Sequence, residues 1–447
     1  MSQQAPGPGM IEFALGVRRC GLLDYVGTLF RTYGDVFQVR MGPKRIVCVM
    51  HPDAVEHINL TNRQNYEKRA SYDAVRDFLV GDGIVASNGE LWRRQRKLMA
   101  PFYTPKAIQT YADMMLGDAL RLAETWGPLA ASGQEVDMHE QMTLVTASII
   151  LKAMFSKESS DAVLKMKDAA GRMLAIVNDR MMGLPIPTWL PTAKNRSYHA
   201  ARKLSRQVIE SLIAERRAMD EATWPDDLLS RMMKARDEET GEAMSARLLH
   251  DETLTIYFAG HETTARSLTF AWYALAANPQ VTERLHAELD RVLAGRVPTL
   301  DDLRQLPYTL QVIKEVLRLH PAVTVYARDA VGDDVIGGYA IPAGASVLLW
   351  SYYTHRHPDF WPQPETFDPD RFTREHESAR HHHAYHPFAA GPRICLGNNF
   401  SLLESHLLLA VLAARYTARL RPGYKPRWIM DGTLGLADGL PMSLSAR

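Results

Sequence analysis

A loop around one cysteine constrains this chain more than any other part of its sequence. Cys395 lies directly before a leucine-rich segment, and its notable neighbours are Phe388, Gly391, Arg393 and Gly397. A tetrahedral zinc or iron–sulfur site needs several soft ligands, and no second cysteine lies near this one. A single thiolate can serve as the axial ligand of a haem iron. The alternative is a buried structural thiol, because free cysteine packs as a small hydrophobic residue.

The other residues of the loop suit presentation of a thiolate. Gly391 permits the tight turn that exposes the sulfur, and Arg393 can face a carboxylate. Gly397 lets the following helix begin close to a flat macrocycle. Since Cys395 lies just before the N-terminus of that helix, unpaired N–H groups and the helix dipole stabilise a negative sulfur.

This loop resembles the haem-binding loop of the cytochrome P450 superfamily, Phe-x-x-Gly-x-Arg-x-Cys-x-Gly, at every fixed position. The resemblance covers nearly the whole chain and implies a soluble, bacterial-type haem-thiolate protein. It implies a mainly α fold with a small β-rich region, in which haem b (iron protoporphyrin IX) lies between the long central helix and the helix after the cysteine loop. Cys395 would be the metal ligand, and Phe388, Gly391, Arg393 and Gly397 would contact the cofactor.

Composition narrows the alternatives. A chain of 447 residues would suggest about three domains by length alone, yet no linker, charge block or repeat divides it. We therefore expect one domain over residues 1–447, with a β-rich part at about 30–60, later short strands, and helical parts at about 90–320 and 396–416. The net charge of +1 gives no electrostatic reason to expect nucleic-acid binding.

The termini and cysteines favour a cytoplasmic protein. Residues 1–9 are polar, and no run approaches the roughly 20 apolar residues of a membrane helix. The three scattered cysteines are too few for a disulfide framework, which indicates a reducing compartment. We expect a monomer without a membrane span.

Periodicity and turn residues predict the elements that would carry the site. The predictions are a β-hairpin of Val36–Met41 and Arg45–Met50, a short basic helix at Leu91–Met99, a break at Gly183–Pro187, a long helix at Ala246–Ala277, a helix at Leu310–Leu319 closed by His320-Pro321, strands at Val335–Ile341 and Ser346–Trp350, and a final helix from after Cys395 to about Tyr416.

The long helix contains Ala259-Gly260-His261-Glu262-Thr263-Thr264, which resembles the family's Ala/Gly-Gly-x-Asp/Glu-Thr-Thr signature. Glycine in a helix interior costs about 1 kcal/mol, so Gly260 needs a reason, and room for the haem and a locally widened helix would supply one. The resemblance implies that Thr263 donates a hydrogen bond to bound oxygen and that Glu262 supplies protons through water.

Plainer interpretations of this segment stay open. The threonines can return hydrogen bonds to the preceding helical turn, and Glu262 can be a solvated helix charge. A zinc-protease motif is excluded, because His-Glu-x-x-His needs a second histidine and position 265 is alanine.

Charged residues elsewhere match supporting parts of the same family. Glu315 and Arg318 share one helix face and resemble its Glu-x-x-Arg pair, and Arg371 follows as the third member of a structural triad. The alternative is an exposed helical pair of little energetic value. The resemblance assigns the haem propionates to Trp92 and Arg96, with Arg393 as a second clamp, and Arg328 is a weaker third candidate.

Electrons would come from a separate protein, because the chain has no Gly-x-Gly-x-x-Gly fingerprint and no room for a fused reductase after Arg447. We expect a ferredoxin or flavodoxin with its NAD(P)H reductase. Arg93, Arg94 and Lys97 form either a basic docking patch for it or an ordinary solvated face. The histidine run at 381–386 is expected to be a solvent-facing loop with adventitious metal affinity.

The function implied is a monooxygenase that inserts one atom of O2 into an apolar small molecule such as a terpenoid, a fatty-acid-like molecule or a polyketide. The alternatives are a non-catalytic haem carrier or sensor and a peroxide-driven peroxygenase. Family analogy assigns the substrate pocket to apolar segments whose candidate residues are Tyr72, Met181, Met182, Phe258, Ala259, Ala322, Val323 and Leu434.

Overall fold

Helices dominate the structure and small β-sheets accompany them, as the sequence predicts. The computed structural model describes residues 3–42, 44–157, 161–182 and 187–447, without the side chains of 161–167, 181 and 182. The chain groups into two compact units. The first contains Met1–Asp73, Lys314–Cys395 and Trp428–Gly435, and the second contains Ala74–Ile313, Leu396–Arg427 and Leu436–Arg447. Organisation as one domain stays a prediction.

A mixed five-stranded sheet organises the first unit. Its order is Val36–Met41, Lys44–Val49, Ser346–Leu349, Tyr326–Ala330 and Tyr66–Glu67. The first pair is the predicted hairpin, in which Val36 lies opposite Val49 and Met41 opposite Lys44. The second and third strands run parallel, and the remaining pairs are antiparallel.

Apolar residues from this sheet belong to a buried cluster on each of its faces. One face packs with Val47, Val49, Val347 and Leu349 in a buried cluster. The other face contains Phe37, Val39, Cys48, Met50 and Trp350. Burial raises the pKa of the Cys48 thiol to about 12, so this cysteine is an inert part of the core.

The helices and further strands of the first unit surround the sheet. The helices are Met10–Cys20, Leu22–Tyr33, Pro52–Glu56, the second half of Pro307–Leu319, Ser351–Thr354 and Arg374–Ala379. Two short strand pairs are Asp334–Ile336 with Tyr339–Ile341 and Trp428–Met430 with Leu434–Leu436. Leu436, the last residue of the second pair, belongs to the second unit. The strand predicted over 335–341 is therefore a hairpin, because Gly337 and Gly338 have positive φ angles of 56° and 84°.

The second unit is mainly helical. Its helices are Gly89–Met99, Pro105–Gln109, Ala112–Ser132, Met138–Phe155, Asp161–Met182, Ala193–Ala218, Leu228–Lys234, Ala246–Ala277, Pro279–Leu293, the first half of Pro307–Leu319 and Asn398–Arg415, and its sheet orders Glu135–Asp137, Pro441–Ala446 and Tyr416–Leu420.

The helix Ala246–Ala277, called the central helix below, has the predicted bounds. The Ser245 hydroxyl accepts a hydrogen bond from the Leu248 N–H at 3.1 Å and caps the start, while Pro279 closes the end after Asn278. The central helix packs along Met138–Phe155 and against Asn398–Arg415, called the C-terminal helix below. The final helix predicted from the sequence is this C-terminal helix.

The structure adds elements that the sequence left unassigned, notably Met10–Cys20 and Leu22–Tyr33. The break predicted at Gly183–Pro187 lies, except for Pro187, outside the described residues. A search of the described helices finds none whose length and hydropathy would let it cross a lipid bilayer.

Candidate active site

The cysteine loop, in the first unit, is held in a fixed turn. Gly391 has a φ of 68°, and a Cβ there would lie 2.2 Å from the carbonyl oxygen of Asn59, so two separate constraints require glycine. The Ile394 N–H donates to the Gly391 carbonyl at 3.0 Å, and the Cys395 N–H donates to the Phe388 carbonyl at 2.9 Å. The loop therefore presents Cys395 as an exposed residue just before the C-terminal helix.

A buried lysine of the first unit is under the electrostatic influence of this thiol. Burial lowers the pKa of Lys68 well below its usual value, Arg328 and Arg393 lower it further, and Cys395 opposes the shift. Arg328, Arg393 and Cys395 therefore all lie close enough to Lys68 to act on its charge. A thiolate suits a metal centre, and arginine and lysine cations suit carboxylates; haem has both a metal centre and carboxylates. The residues present fit the implied cofactor.

Lys68 was missed by sequence reasoning. It follows the strand Tyr66–Glu67, and its Nζ lies 4.5 Å from the ring centre of Tyr72, a predicted pocket residue. The sequence gives no local signal for it, because its cationic neighbours are far along the chain.

A buried amide holds two parts of this cation cluster together. The Asn59 side chain donates to the carbonyl of Val55 at 2.8 Å and to the hydroxyl of Tyr326 at 3.1 Å. Its Oδ1 accepts from the Arg328 guanidinium at 3.4 Å, and its own carbonyl packs against Gly391. Asn59 therefore positions both the cysteine loop and a candidate propionate ligand. Sequence reasoning missed it as well.

The predicted triad is assembled within the first unit. Glu315 and Arg318 are fully buried and form a bidentate pair at 2.6 and 2.7 Å. The Arg371 Nε lies 3.5 Å from Glu315 Oε1, and the Asp368 N–H donates to the same oxygen at 2.8 Å. Burial raises the pKa of Glu315, while Arg318 opposes that shift.

Arg318 also ties the loop that leads to Arg371. Its guanidinium donates to the carbonyls of His355 at 2.9 Å, Pro364 at 2.7 Å and Thr366 at 3.1 Å. A buried pair with this many additional hydrogen bonds is unlike an exposed helical pair, so the plainer alternative for Glu315 and Arg318 is wrong.

In the second unit, the central helix has one accessible patch within a buried stretch. Residues 251–257 and 264–272 are buried, whereas Phe258, Ala259, Gly260, Glu262 and Thr263 are accessible. The acid and hydroxyl of the predicted signature thus share the part of the helix that a small molecule could reach.

The hydrogen bonds of these residues match the plainer interpretation in part. Thr263 Oγ1 donates to the carbonyl of Ala259 at 2.9 Å, which is the return bond that a helical threonine can make. Glu262, whose side chain is 25% exposed, accepts from Arg266 at 2.9 Å rather than facing solvent alone.

Gly260 has a different local role from the one predicted. A Cβ at this position would lie 2.7 Å from the Cδ1 of Ile150 on helix Met138–Phe155. The missing side chain therefore makes room for a neighbouring helix, and the central helix stays α-helical throughout, without the expected widening. That Gly260 also leaves room for the cofactor stays a prediction.

Buried acids in the second unit were not foreseen from the sequence. Burial raises the pKa of Glu404, on the C-terminal helix, well above its usual value, and the Thr264 hydroxyl lowers it in part. Thr264 also shares a hydrogen bond with the Ser401 hydroxyl at 3.0 Å, which links the two helices. On the central helix, burial raises the pKa of Glu252 to about 8, and its carboxylate accepts the Ile84 N–H at 3.1 Å.

The predicted basic patch is neutralised within the second unit. Arg94 pairs with Asp237 and Glu242, Lys97 pairs with Glu238 and Glu239, and Arg93 pairs with Glu90. The acidic segment 237–242 offsets the charge, which favours an ordinary surface over a docking patch. Trp92 and Arg96 lie half-buried on the same helix, one turn apart as predicted.

The predicted pocket residues fall in separate groups. In the first unit, the Leu434 N–H donates to the Ala322 carbonyl at 2.9 Å, and Val323 packs on the sheet cluster. In the second unit, Phe258 packs with Met173, Ile176, Tyr198 and Phe78. Met181 and Met182 lie on helix Asp161–Met182, but their side chains are outside the described set.

The histidine run is not the solvent-facing loop that was predicted. His382–Ala384 forms a short 3-10 turn, and His383 and His386 are buried while His382 remains exposed. The His386 N–H donates to His355 Nε2 at 2.9 Å, and burial lowers the pKa of His386 to about 3. Aromatic and histidine neighbours in the first unit therefore enclose most of the run.

Known proteins resemble this chain over most of its length. The family model described as Cytochrome P450 matches residues 6–441. Cyclooctatin synthase of Streptomyces melanosporofaciens is 34% identical over 92% of this chain and 89% of its own. From the same organism, cyclooctat-9-en-7-ol 5-monooxygenase is 34% identical over 88% and 84%. The heme domain of cytochrome P450DA superposes with a TM-score of 0.91 at 28% identity, covering 100% of this chain and 98% of that one.

A retinoic acid-bound cyanobacterial P450, CYP120A1, gives a TM-score of 0.88 at 25% identity and covers 100% of both chains.

Proposed function

The chain belongs to the cytochrome P450 family and is a P450 monooxygenase with a haem-thiolate cofactor, and we propose that it oxygenates a terpenoid-like apolar molecule. The observation that carries the assignment of its site is the turn at Gly391, which presents the exposed thiol of Cys395, together with the charges of Arg328, Arg393 and Cys395 that act on Lys68. When haem b is bound, it supplies the chemistry that activates O2 for insertion into a C–H or C=C bond.

The residues of the first unit would hold this group. Cys395 would be its thiolate ligand, with Phe388, Gly391 and Gly397 shaping the loop around it. Arg328, Arg393 and Lys68 would bind the propionates. Arginine suits this role because its planar guanidinium group binds a carboxylate bidentately. Asn59 and the triad of Glu315, Arg318 and Arg371 hold these ligands in place without contacting substrate.

The second unit contains the candidate residues for proton transfer. The Thr263 hydroxyl, which donates to the Ala259 carbonyl in the structure, would serve as a proton donor, and Glu262 would exchange protons with water at its accessible carboxylate. Arg266, one helical turn further along, pairs with the Glu262 carboxylate and holds it in position. Trp92 and Arg96 stay candidates for a further propionate contact.

The substrate class rests on the accessible residues and on the relatives. Phe258 and the apolar residues around it, Met173, Ile176 and Tyr198, suit an irregular lipophilic molecule. The names of two relatives specify cyclooctat-9-en-7-ol oxidation and cyclooctatin synthesis, and a structural relative binds retinoic acid, an isoprenoid. Fatty-acid-like molecules and polyketides are the competing classes.

A separate electron donor, a ferredoxin or flavodoxin with its NAD(P)H reductase, would serve this enzyme in the cytoplasm. The free thiols Cys20, Cys48 and Cys395 accord with a reducing compartment. Because Arg93, Arg94 and Lys97 already pair with acidic neighbours, docking of the donor would depend on other residues.

The test of substrate class is a binding screen read by the high-spin shift of the haem spectrum. Terpenoids should give saturable shifts at lower concentrations than fatty acids of matched hydrophobicity. Tighter fatty-acid binding would overturn the terpenoid assignment. Turnover with surrogate ferredoxin and flavodoxin systems should then consume NADPH and yield an oxygenated product; equal turnover on hydrogen peroxide alone would instead identify a peroxygenase, and spectral binding without any product would identify a carrier.

A further inference from the structure

A repeated tripeptide of the first unit is unrelated to the site described above. His-Pro-Asp occurs at 51–53, directly after the strand Lys44–Val49, and again at 357–359, after the helix Ser351–Thr354. The fold brings the two copies together, and the rings of His51 and His357 meet edge to face with centres 5.5 Å apart.

A third ligand-type side chain joins this pair. His357 Nε2 lies 2.9 Å from Oδ1 of Asp35, which precedes the first strand. Asp35, His51 and His357 each offer one ligand atom, and these three atoms lie within 4.8 Å of one another. His357 is 4% exposed, whereas the side chains of His51 and Asp35 are 28% and 39% exposed, so the group is anchored on one side and open on the other.

Each tripeptide also supplies a carboxylate behind its histidine. Asp53 Oδ2 lies 3.5 Å from His51 Nδ1, and Asp359 Oδ2 lies 4.0 Å from His357 Nδ1. Metal-bound histidines usually donate their second ring N–H to a carboxylate, which orients the ring and increases its basicity. In the structure each Nδ1 accepts the backbone N–H of its own aspartate, at 3.2 and 3.3 Å, so metal binding through Nε2 would turn Nδ1 into a donor to that carboxylate.

We propose that Asp35, His51 and His357 form a binding site for a divalent metal ion of the zinc class. Two imidazoles and one carboxylate are a ligand set that zinc accepts, with a fourth position for water or another side chain. Zinc binding through Nε2 shifts the proton of the neutral His357 ring from Nε2 to Nδ1, with no net proton release and no change of oxidation state.

Part of the histidine run at 381–386 lies next to the proposed metal ligands. His381 Nε2 lies 3.2 Å from Asp53 Oδ1, and the ring of Phe360 lies between 5.1 and 5.7 Å from the rings of His51, His357 and His381. His381 therefore borders the same group. His382, in contrast, is exposed.

A metal here would join segments that are distant in sequence. Asp35 precedes the first strand, His51 caps helix Pro52–Glu56, and His357 follows helix Ser351–Thr354. The ion would stabilise the first unit without touching the haem ligands, which distinguishes its effect from loss of monooxygenase activity.

The experiment is isothermal titration of the tag-free, haem-loaded protein with ZnCl2 after treatment with a chelator. We expect saturable uptake of one zinc per chain and a rise of the melting temperature. His51→Ala and His357→Ala should each weaken binding at least about tenfold, and Asp359→Asn should weaken it less. His382→Ala is the matched control and should bind zinc as the unmodified protein does.

Asp35→Asn keeps the test valid if a histidine variant fails to fold. Its amide oxygen can still accept the His357 N–H, but it supplies no anionic ligand, so zinc affinity should fall while the melting temperature without zinc stays unchanged. Uptake that is non-saturable, equal in all variants, or lost only in His382→Ala would overturn the proposal.

Discussion

Removing the buried acid of the triad should cost more stability than any exposed ion pair of this chain. In Glu315→Ala, the fully buried Arg318 loses both carboxylate bonds and keeps only carbonyl acceptors, while the Asp368 N–H loses its partner. An uncompensated buried charge costs about 3–5 kcal/mol, so the free energy of unfolding should fall by about that amount.

The reciprocal change separates charge from hydrogen bonding. Arg318→Met leaves a buried carboxylate and also orphans the carbonyls of His355, Pro364 and Thr366, each worth about 1–3 kcal/mol. In the double variant neither charge remains. Its cost should therefore be smaller than the sum of the single costs by about 2–3 kcal/mol, although the protein should remain less stable than the unmodified chain.

Guanidinium unfolding, followed by tryptophan fluorescence and by the haem absorbance, measures these differences. Glu210→Ala is the control, because Glu210 and Arg206 form an exposed pair at 2.8 Å and no measurable change of the midpoint is expected. Additive costs within about 0.5 kcal/mol would refute the reasoning, since they would mean that Glu315 and Arg318 do not compensate each other.

Further predictions concern the loop, a buried acid and the helical hydroxyl. Gly391→Ala should lower the haem content per chain, measured by a pyridine haemochrome assay, because its Cβ would lie 2.2 Å from the Asn59 carbonyl oxygen. Gly423→Ala is the control and should keep the full haem content, because Gly423 has a similar φ of 76° but no atom within 4 Å of the added Cβ. Burial raises the pKa of Glu252 to about 8 in the folded state, against 4.5 when unfolded, so the free energy of unfolding should fall as pH rises between these values. Glu252→Gln should make the denaturant midpoint less dependent on pH in this range. A midpoint that depends on pH as in the unmodified chain would contradict this prediction. Thr263→Ala should lower oxygenated product per NADPH consumed, while Thr263→Ser should retain it; equal coupling in both variants would exclude a role for the hydroxyl.

The long elements were predictable because their signals are local. Ser245 and Pro279 bracket the central helix in the sequence, and the structure has the same bounds, Ala246–Ala277. The hairpin from Val36 was recognisable from its apolar strands and the turn at Gly42. These elements depend on capping and turn chemistry within a few residues.

Non-local contacts limited what could be predicted about the site. Lys68 gains its significance from Arg328 and Arg393, which lie on other segments of the first unit. The reason for Gly260 is Ile150 on a neighbouring helix. A motif identifies a residue type at a spacing, but only packing shows which neighbour requires it.

The histidines likewise show that a local sequence pattern does not reveal burial or proximity. The run at 381–386 was conspicuous in the sequence, yet burial removes most of it from solvent. The two His-Pro-Asp tripeptides were inconspicuous in the sequence. They lie close together only because the fold brings together two segments of the first unit that are distant in sequence. Asp35 completes the group only through that fold.

Ligation of the haem iron by sulfur can be measured directly with the CO-difference spectrum of the dithionite-reduced protein. The unmodified chain should give the Soret maximum characteristic of thiolate-ligated haem, and Cys395→Ser should lose that maximum together with product formation. A serine variant with an unaltered spectrum, or an unmodified protein with the spectrum of histidine-ligated haem, would contradict the assignment of Cys395.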